Sequence, residues 1–500
     1  MEPLPASTLS FERLQRVFLL AALPVGAALG CVVAMSGTRA TVALLGAGGL
    51  LALVIVGLNR LHLTLLPLAV ILPLAGYLII LRPEAGFSLV FDILALVPFA
   101  ALAIRWLARP HTVSLFSGSQ FLVWLFLFAT LFQFVNPDGT PLTVSLYGFR
   151  RMVVPMLLFF VAYHLNTTGP GTLRRLAWAL MLTGWIPAVY GIKQYALGLT
   201  SVEAQYAKQI ASGWVGQDVR IFSTFQGPWA LATYLAGIAL IALSLAAGAR
   251  SFGPRLLALA TAALATATLS LTYVRGCLVG YLVGVTFLLF LVIGSRMGMR
   301  RVATALLIIL VSYGAFAIFI GPAIVEHVSV ENPVARRAMT ILAPTQQFAF
   351  EARLLTWGHI QDIAMRYPLG IGLGATAGVS ARFQSQLRLG PVHPDNSYLG
   401  VALETGWLGG LLFAALVVHL MIVGVRLAAR PSTSPDRWIL RGAAAYLIAV
   451  AIASLAAPVT FEAGAGALYW LVSGIVARQG ALAASAAAWA GSGLSRLSTA

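Results

Sequence analysis

The sequence predicts an all-α polytopic membrane protein with about twelve to fourteen transmembrane helices. Of its 500 residues, 60% are hydrophobic and only 9% are charged, and the mean hydropathy is +0.91. Apolar runs of roughly 17 to 22 residues recur along the chain, and this length crosses about 30 Å of hydrocarbon. Lipid admits only helices or closed barrels, and the runs lack the alternation of barrel strands, so helices are favoured.

Hydropathy places the predicted spans one after another, with two long connections between them. The first apolar run lacks a small-residue cleavage site and is followed at once by further apolar runs, so it is predicted to be a retained span. The predicted limits are 17–35, 40–58, 62–80, 87–107, 119–135, 148–165, 176–197, 227–247, 255–272, 276–294, 302–320, 398–425, 439–456 and 461–477.

These spans divide the chain into four parts. Residues 1–320 are predicted to form a transmembrane bundle of about eleven spans, with an outer loop at about 198–226. Residues 321–397 form a long outer loop with surface helices, and residues 398–477 form the C-terminal transmembrane helices. Residues 478–500, rich in Ala, Ser and Gly, are predicted to be a cytoplasmic tail that is weakly structured or forms a short surface helix.

The charged residues predict the orientation of the bundle. The formal net charge is +17, but the basic residues stand singly or in pairs between apolar runs, which argues against nucleic acid as a partner. When the connections alternate between sides, one face collects arginines with almost no acids, and the other face holds most of the acids. The positive-inside rule makes the first face cytoplasmic. Both termini are therefore predicted to be cytoplasmic and both long loops to lie outside.

The two cysteines do not indicate a cofactor. Cys31 and Cys277 lie in or at the edge of apolar runs, so they provide neither a disulfide framework nor the spacing of metal ligands. No metal and no other cofactor is predicted.

The long outer loop contains a predicted helix followed by a glycine-rich turn. In EARLLTWGHIQDIAMRYP, residues such as Leu354, Ile360 and Ile363 form an apolar stripe at helical spacing, and Pro368 ends the helix. We expect this helix to lie on the outer membrane surface with its stripe used for packing. The following GIGLGA lacks the Lys and Ser/Thr of a phosphate loop, so it indicates a hinge or a close-packing turn.

Single arginines on the outer side predict an anion site. Arg275 stands in the tight turn LTYVRGCLVGYL, where a guanidinium costs a few kcal/mol unless it reaches the interface or meets an anion. Arg220, Arg353 and the pair Arg150 and Arg151 lie on the same predicted side. A planar, permanently charged fork suits phosphate oxygens. Each arginine alone could equally touch lipid headgroups, but together they favour a diphosphate.

The stretch HPDNSYLGVALETGWLGG places ionisable residues at the mouth of an apolar helix. Asp395 or His393 could accept a proton from an incoming hydroxyl, because partial desolvation makes a carboxylate more basic. The cluster Asp395-Asn396-Ser397 equally predicts a helix N-cap. Glu404, about two turns inside the helix, could pair with an arginine for assembly.

These segments resemble the O-antigen ligase and O-antigen polymerase superfamily of membrane glycosyltransferases. The resemblance covers about residues 220–410 and consists of RIFSTFQGPWALATYL, LTYVRGCLVGYLVG, RLLTWGHIQDIAMRYPLGIGLGA and HPDNSYLGVALETGWLGG, in the family's order. It implies a GT-C-like fold and an inverting enzyme that moves a glycan from an undecaprenyl diphosphate carrier to an acceptor hydroxyl, without metal or nucleotide sugar. It also implies that Arg220, Arg275 and Arg353 hold the diphosphate of the donor.

One position distinguishes the ligases of this superfamily from the polymerases. The ligase signature has His directly before Asn, followed by nine variable residues and Gly-x-x-Gly. Gly406 and Gly409 fit this frame, but Asp395 occupies the position of the His, and His393 lies two residues earlier. The sequence DNSYL resembles the polymerases, as does LYGFRRMVVPMLLFFVAY upstream. The resemblance therefore favours polymerisation of a surface polysaccharide of the O-antigen or exopolysaccharide type.

The same resemblance implies a bacterial inner-membrane enzyme with its active site on the periplasmic face. Its partners would be an undecaprenyl diphosphate-linked oligosaccharide, an acceptor glycan or lipid, membrane lipids and a chain-length regulator protein. Two alternatives stay open: a ligase that transfers glycan to lipid A core or protein, and a flippase or other transporter of lipid-linked glycan. Transporters tend to show inverted repeats, and no repeat is found here. Residues predicted to support the site are Arg150, Arg151, Asn396, Tyr398 and Glu404.

Overall fold

The computed structural model describes most of the chain from residue 61 onward. The predicted span 17–35, most of 40–58 and 302–320, and the first part of the long outer loop lie outside the described residues. The residues described are 52, 54–58, 61–81, 87–108, 118–165, 171–209, 214–215, 218–293, 304, 348–390, 392–430, 436–462 and 464–497.

The described part of the chain is helical, apart from one short antiparallel hairpin in which Trp214 faces Val219. Up to residue 248, the elements are α1 (Leu65–Ile71), α2 (Ala75–Leu81), α3 (Phe87–Ala108), α4 (Ser119–Phe132), α5 (Leu142–Tyr163), α6 (Thr172–Thr183), α7 (Trp185–Leu197), α8 (Ser201–Gln209), β1 (Trp214–Val215), β2 (Asp218–Val219) and α9 (Pro228–Gly248). They continue with α10 (Phe252–Leu271), α11 (Arg275–Ile293), α12 (Phe348–Arg366), α13 (Ala377–Arg382), α14 (Ser397–Ala429), α15 (Arg437–Ala453) and α16 (Ala465–Leu497).

Five helices of the described part are long and apolar enough to cross a membrane. They are α5, the α6–α7 pair, α9, α10 and α14, and shorter apolar helices cover Ala95–Ala108, Ser119–Val135 and Arg275–Leu291. The predicted class, an all-α polytopic membrane protein, is confirmed.

Helix α9 lies at the centre of the bundle. Nearly all of its side chains are buried, as expected for a helix that is apolar on every side. It packs against α10, α11 and α15, and α16 packs along α5. Glycines permit close approach: a Cβ on Gly237 would lie 2.9 Å from the ring of Tyr446, and one on Gly280 would overlap the carbonyl of Ala449. Small residues are typical of such helix contacts in membranes.

Three predicted elements differ from the structure. The predicted span 62–80 is interrupted by a turn at Leu72–Leu74, because Pro73 lacks a donor and disfavours helix at the residue before it. The predicted span 176–197 is divided at Gly184 into α6 and α7. The chain after Arg478 is neither weakly structured nor a separate surface helix, because α16 continues to Leu497. Alanine, which is frequent in this segment, has the highest helix propensity of the amino acids, and this favours the continuation.

The connection predicted at 198–226 is held to the bundle by Glu203. A capping box starts α8, since the backbone N–H of Thr200 donates to Glu203 Oε2 at 2.7 Å and the backbone N–H of Glu203 donates to Thr200 Oγ1 at 3.4 Å. Glu203 Oε1 accepts from Tyr190 and Gln194 of α7, each at 2.8 Å. The loop is therefore anchored to α7 by a fully buried carboxylate.

The helix predicted in the long outer loop is confirmed as α12, which ends at Arg366 before Pro368. Ile360 and Ile363 of the predicted stripe are buried, whereas Leu354 is exposed. The stripe is therefore used for packing only in the C-terminal half of the helix.

Candidate functional site

Asn396 begins α14 as its N-cap. Its side-chain oxygen accepts the backbone N–H groups of Tyr398 at 2.9 Å and of Leu399 at 3.1 Å, so the predicted capping role is confirmed for this residue. Asp395 is partly buried and has a φ of 46°, a left-handed conformation that Asp adopts more readily than most residues. His393 is exposed. Both predicted bases therefore stand at the entrance of α14 and keep access to solvent.

A connection without any recognised motif organises this end of the bundle. Residues 454–462, here termed the α15–α16 connection, lie directly against the start of α14. The backbone N–H of Ser397 donates to the carbonyl of Ser454 at 2.8 Å, and its hydroxyl donates to the carbonyl of Ala457 at 2.9 Å. The N–H of Val459 donates to the same hydroxyl at 3.0 Å. These bonds fix the position of the residues that precede Ser397.

Arg275 occupies the first position of α11, immediately after the tight turn from α10. The turn contains Tyr273, whose φ is 55°. Gly276 lies against the α15–α16 connection, because a Cβ there would stand 2.7 Å from the Cβ of Ala456. Arg275 is therefore at the same end of the bundle as Asp395.

Arg220 lies at the start of the segment that leads from β2 into α9, and it is partly buried. Gln194 of α7 fixes this segment by accepting the backbone N–H of Ser223 at 2.6 Å. Phe225 packs beside Gly464, which lies two residues after the α15–α16 connection, since a Cβ on Gly464 would lie 2.7 Å from its ring. The structure thus brings Arg220 to the end of the bundle that holds Arg275.

Helix α12 is bound to the same region through two tryptophans. The indole of Trp357 donates to the carbonyl of Pro394 at 3.2 Å, and the indole of Trp407 on α14 donates to the carbonyl of Ala364 at 3.1 Å. Arg353 lies on α12, although its side chain is outside the described part of the structure. The helix that carries Arg353 therefore adjoins the segment containing His393.

The two supporting arginines have different partners. Arg151 donates to Glu404 Oε1 at 3.0 Å, and that oxygen also accepts the backbone N–H of Thr376 at 3.0 Å and its hydroxyl at 2.5 Å. Glu404 is fully buried, and it pairs with an arginine as the assembly interpretation expected. Arg150 instead pairs with Asp92 of α3. Of these two arginines, it is therefore Arg151 that joins the elements around the site.

Helix α14 is kinked at Gly406, where the backbone adopts a φ of 75°. The glycine-rich turn after α12 fits into this kink. The carbonyl of Pro368 accepts the N–H of Trp407 at 3.1 Å, and the N–H of Ile371 donates to the carbonyl of Leu403 at 2.8 Å. The GIGLG sequence is therefore a close-packing turn, one of the two roles that the sequence predicted.

Polar residues between α4 and α5 hold this turn from the other side. Asn136 donates to the carbonyl of Gly370 at 2.9 Å, and Gln133 donates to that of Leu369 at 2.9 Å. Neither residue was predicted from the sequence, although two amide side chains at the end of an apolar run were an available signal, and both are buried. The end of the connection before α14 is thus built into the bundle.

Backbone strain also marks this region. Among the described residues, the non-glycine positions with a positive φ are Ser223, Tyr273 and Asp395. Ser223 lies three positions after Arg220, Tyr273 lies two positions before Arg275, and Asp395 is itself a predicted base. Sparsely populated backbone conformations tend to occur at functional sites. This distribution supports the assignment of the segments around Arg220, Arg275 and Asp395 to one site.

Glu462 is an acidic residue at this site that was not predicted from the sequence. It lies in the α15–α16 connection and is partly exposed. It is the last acidic residue of the sequence and begins a predicted span. An acid in such a position is a functional candidate, so a signal was present.

The comparison with known families adds the class of enzyme. A family model described as O-antigen ligase matches residues 260–414. Residues 260–414 form an O-antigen ligase domain. Members of this family are glycosyltransferases that act as ligases or polymerases of lipid-linked glycans. No curated protein and no solved structure matches the chain.

The O-antigen ligase domain contains part of the site described above. The matched range includes Arg275, His393 and Asp395. It also includes Glu404, which pairs with Arg151. Residues outside the range complete the same end of the bundle; they are Arg151, Arg220 and Glu462. Among the described residues, no group of three or more His, Cys, Asp and Glu is placed to hold a metal ion.

Proposed function

We propose that this protein polymerises a bacterial surface polysaccharide. It transfers glycan from an undecaprenyl diphosphate-linked donor to a hydroxyl of a lipid-linked acceptor glycan. The observation that carries the proposal is the convergence of Arg220, Arg275 and Asp395 at one end of a bundle that includes an O-antigen ligase domain. Guanidinium groups suit the diphosphate of the donor, and a carboxylate at a helix entrance suits the hydroxyl of the acceptor.

The proposed reaction is an inverting, metal-independent displacement at the anomeric carbon. A bond forms between the acceptor oxygen and this carbon, and the bond between the carbon and the phosphate oxygen breaks. The electron pair leaves with undecaprenyl diphosphate, and Arg220, Arg275 and Arg353 neutralise the developing charge. The hydroxyl proton passes to Asp395 or His393.

The surroundings of the two bases support Asp395 over His393. Asp395 is partly buried, whereas His393 is exposed. A bound acceptor would exclude water more completely from Asp395, which strengthens its interaction with the hydroxyl. The capping bonds of Asn396 and the bonds of Ser397 fix the adjacent backbone, so the carboxylate of Asp395 is carried on a well-positioned segment.

Asp395 also supports polymerisation over ligation, because the ligase signature has His at this position. A ligase that transfers glycan to lipid A core or protein is the second candidate. It is supported by the description of the matched family, O-antigen ligase.

We further propose that the site faces the periplasm, in the bacterial inner membrane, with both termini cytoplasmic. The opposite end of the bundle is rich in arginine, as the positive-inside rule requires of a cytoplasmic face. There, Arg441 lies 4.6 Å from the ring centre of Trp438, and Arg478 lies 5.5 Å from that of Tyr163. Such cation–aromatic contacts are suited to a membrane interface.

A reconstituted reaction tests this function. Purified protein is incubated with labelled undecaprenyl diphosphate oligosaccharide, with and without a core-lipid acceptor. A ladder that grows on the lipid carrier, with release of undecaprenyl diphosphate, is the expected result. Label that moves onto the core lipid instead would identify a ligase. Passage of intact substrate across a liposome membrane without bond formation would contradict glycosyl transfer.

A further inference from the structure

Asp395 adopts a backbone conformation that its neighbours must hold in place. Its φ of 46° lies in the left-handed region, which Asp enters more readily than most residues but which is still less favourable than helix or strand. Such conformations persist only where the surrounding structure fixes them. The direction of the Asp395 carboxylate therefore depends on how the peptides before and after it are held.

The peptides after Asp395 are held by the bonds of the helix entrance. Asn396 caps α14 with its side chain, and the backbone N–H of Ser397 donates to the carbonyl of Ser454 at 2.8 Å. These bonds act only on the C-terminal side of Asp395. The peptide that leads into Asp395 needs a contact of its own.

Trp357 of α12 supplies this contact. Its indole N–H donates to the carbonyl of Pro394 at 3.2 Å. This carbonyl belongs to the same planar peptide unit as the backbone N–H of Asp395, so the bond restricts the rotation of that unit, and the rotation sets the φ of Asp395. Pro394 has no N–H, so its carbonyl is the backbone group through which it can be held.

Trp357 is itself supported by a small apolar cluster that is separate from the main core of the bundle. The cluster includes Ile360 of α12, Leu403 of α14 and Val392, which lies three positions before Asp395, and the partly buried Trp357 packs against it. The donor of the hydrogen bond and the segment that carries Asp395 are thus anchored to the same surface. Because packed interiors are nearly incompressible, the bond has a rigid support.

We propose that Trp357 is a positioning residue for Asp395. This inference rests on the proposed glycosyl transfer, in which the Asp395 carboxylate accepts the proton of the acceptor hydroxyl. The indole bond keeps the carboxylate in the orientation from which it accepts this proton, and Trp357 exchanges no proton with the acceptor. A displacement of about 1 Å in a catalytic group can cost about 10²-fold in rate, so one fixed peptide has a measurable effect.

Trp357→Phe tests this role by steady-state kinetics. Phe keeps an aromatic ring for the apolar cluster but has no N–H to donate. The donor is labelled undecaprenyl diphosphate oligosaccharide, and the acceptor is the same oligosaccharide on an alkyl group that cannot leave. The kcat of Trp357→Phe should fall by about tenfold or more. The KM values for donor and acceptor should stay within about twofold, because the bond acts on the base and not on substrate binding.

A double-mutant cycle with Asp395→Asn shows whether the effect passes through the base. Once residue 395 cannot accept a proton, its orientation no longer limits the rate. Trp357→Phe should therefore lower the residual kcat of Asp395→Asn by less than about twofold. A role confined to packing would lower kcat by the same factor in both backgrounds.

The matched control is Trp185→Phe, which removes an indole hydrogen bond of 2.8 Å to Thr261 between α7 and α10. It should leave all three kinetic constants unchanged. A kcat of Trp357→Phe within about twofold of the wild type would overturn the positioning role, as would an equal loss in the wild-type and Asp395→Asn backgrounds. A wild type that transfers no glycan would contradict the proposed function itself, so the two failures are distinct.

Discussion

Arg151 on α5 donates a hydrogen bond to Glu404 on α14 over a distance of 3.0 Å. The carboxylate is fully buried, and Thr376 donates two further hydrogen bonds to the same oxygen. The ion pair thus joins two helices of the bundle to the segment around Thr376. It holds the entrance of α14 near the other connections of the site.

Loss of either partner of this pair should strongly destabilise the protein. Arg151→Ala leaves a buried charge on Glu404 without its counterion, which costs about 3–5 kcal/mol. Thermal unfolding of the detergent-purified protein should show a clearly lower Tm. The matched control is Arg388→Ala, because the exposed Arg388–Asp138 pair contributes at most about 1 kcal/mol. An equal Tm for Arg151→Ala and wild type would contradict a structural role for the pair.

Gly406 should not tolerate a side chain. A Cβ there would lie 2.6 Å from the carbonyl carbon of Leu369, and a backbone with φ 75° and ψ 178° is essentially restricted to glycine, so it costs other residues about 1–3 kcal/mol. Gly406→Ala should therefore lower the Tm and separate the turn after α12 from α14. Gly358→Ala is the control, because Gly358 is exposed within α12 and its Cβ would meet no neighbouring atom. That change should leave the Tm unchanged or raise it. Similar behaviour of the two variants would argue against the kink.

The connection predicted at 198–226 should lose stability in acid because of Glu203. Burial raises the pKa of Glu203, but hydrogen bonds from Thr200, Gln194 and Tyr190 outweigh it, so the folded pKa lies below the ordinary value of 4.5. A lowered carboxyl pKa stabilises the folded state above the unfolded value, and this stability disappears as the pH falls through the folded value. Limited proteolysis of the loop between about pH 3 and 7 should accelerate at the acid end.

Glu203→Gln provides the control for this pH dependence. In this variant, the loop should be cleaved faster than in the wild type at neutral pH. Its cleavage rate should change little further in acid. An acid-dependent increase as large as that of the wild type would mean that another group is responsible.

The sequence predicted the helices of this fold better than their contacts. The end of α12 before Pro368 and the capping role of Asn396 follow from local rules, since the missing donor of proline and the amide of asparagine act within a few residues. The sequence indicated that Glu404 could pair with an arginine, but it did not indicate which one. The α15–α16 connection was not foreseen, because its bonds to Ser397 and its packing against Gly276 use backbone and small side chains that carry no sequence motif.

The choice between the two proposed bases can be tested without disturbing the backbone. Asp395→Asn removes the base, and Asn also adopts the left-handed conformation readily, so the φ of 46° should persist. Its kcat should fall by about 10²- to 10⁴-fold if Asp395 accepts the proton. His393→Gln should then retain most of the activity. The reverse pattern, with a large loss only in His393→Gln, would assign the base to His393.

The most direct measurement of the proposed function is the amount of undecaprenyl diphosphate released by purified Arg275→Ala. Arg275 stands at the start of α11 beside the α15–α16 connection, where the proposal places the diphosphate. Wild type and Arg250→Ala, which alters an exposed arginine after α9 at the other end of the bundle, should release undecaprenyl diphosphate and form a glycan ladder. Arg275→Ala should reach the membrane normally, but its release should fall by about 10²-fold or more. Wild-type release and wild-type chain lengths in Arg275→Ala would contradict the diphosphate site.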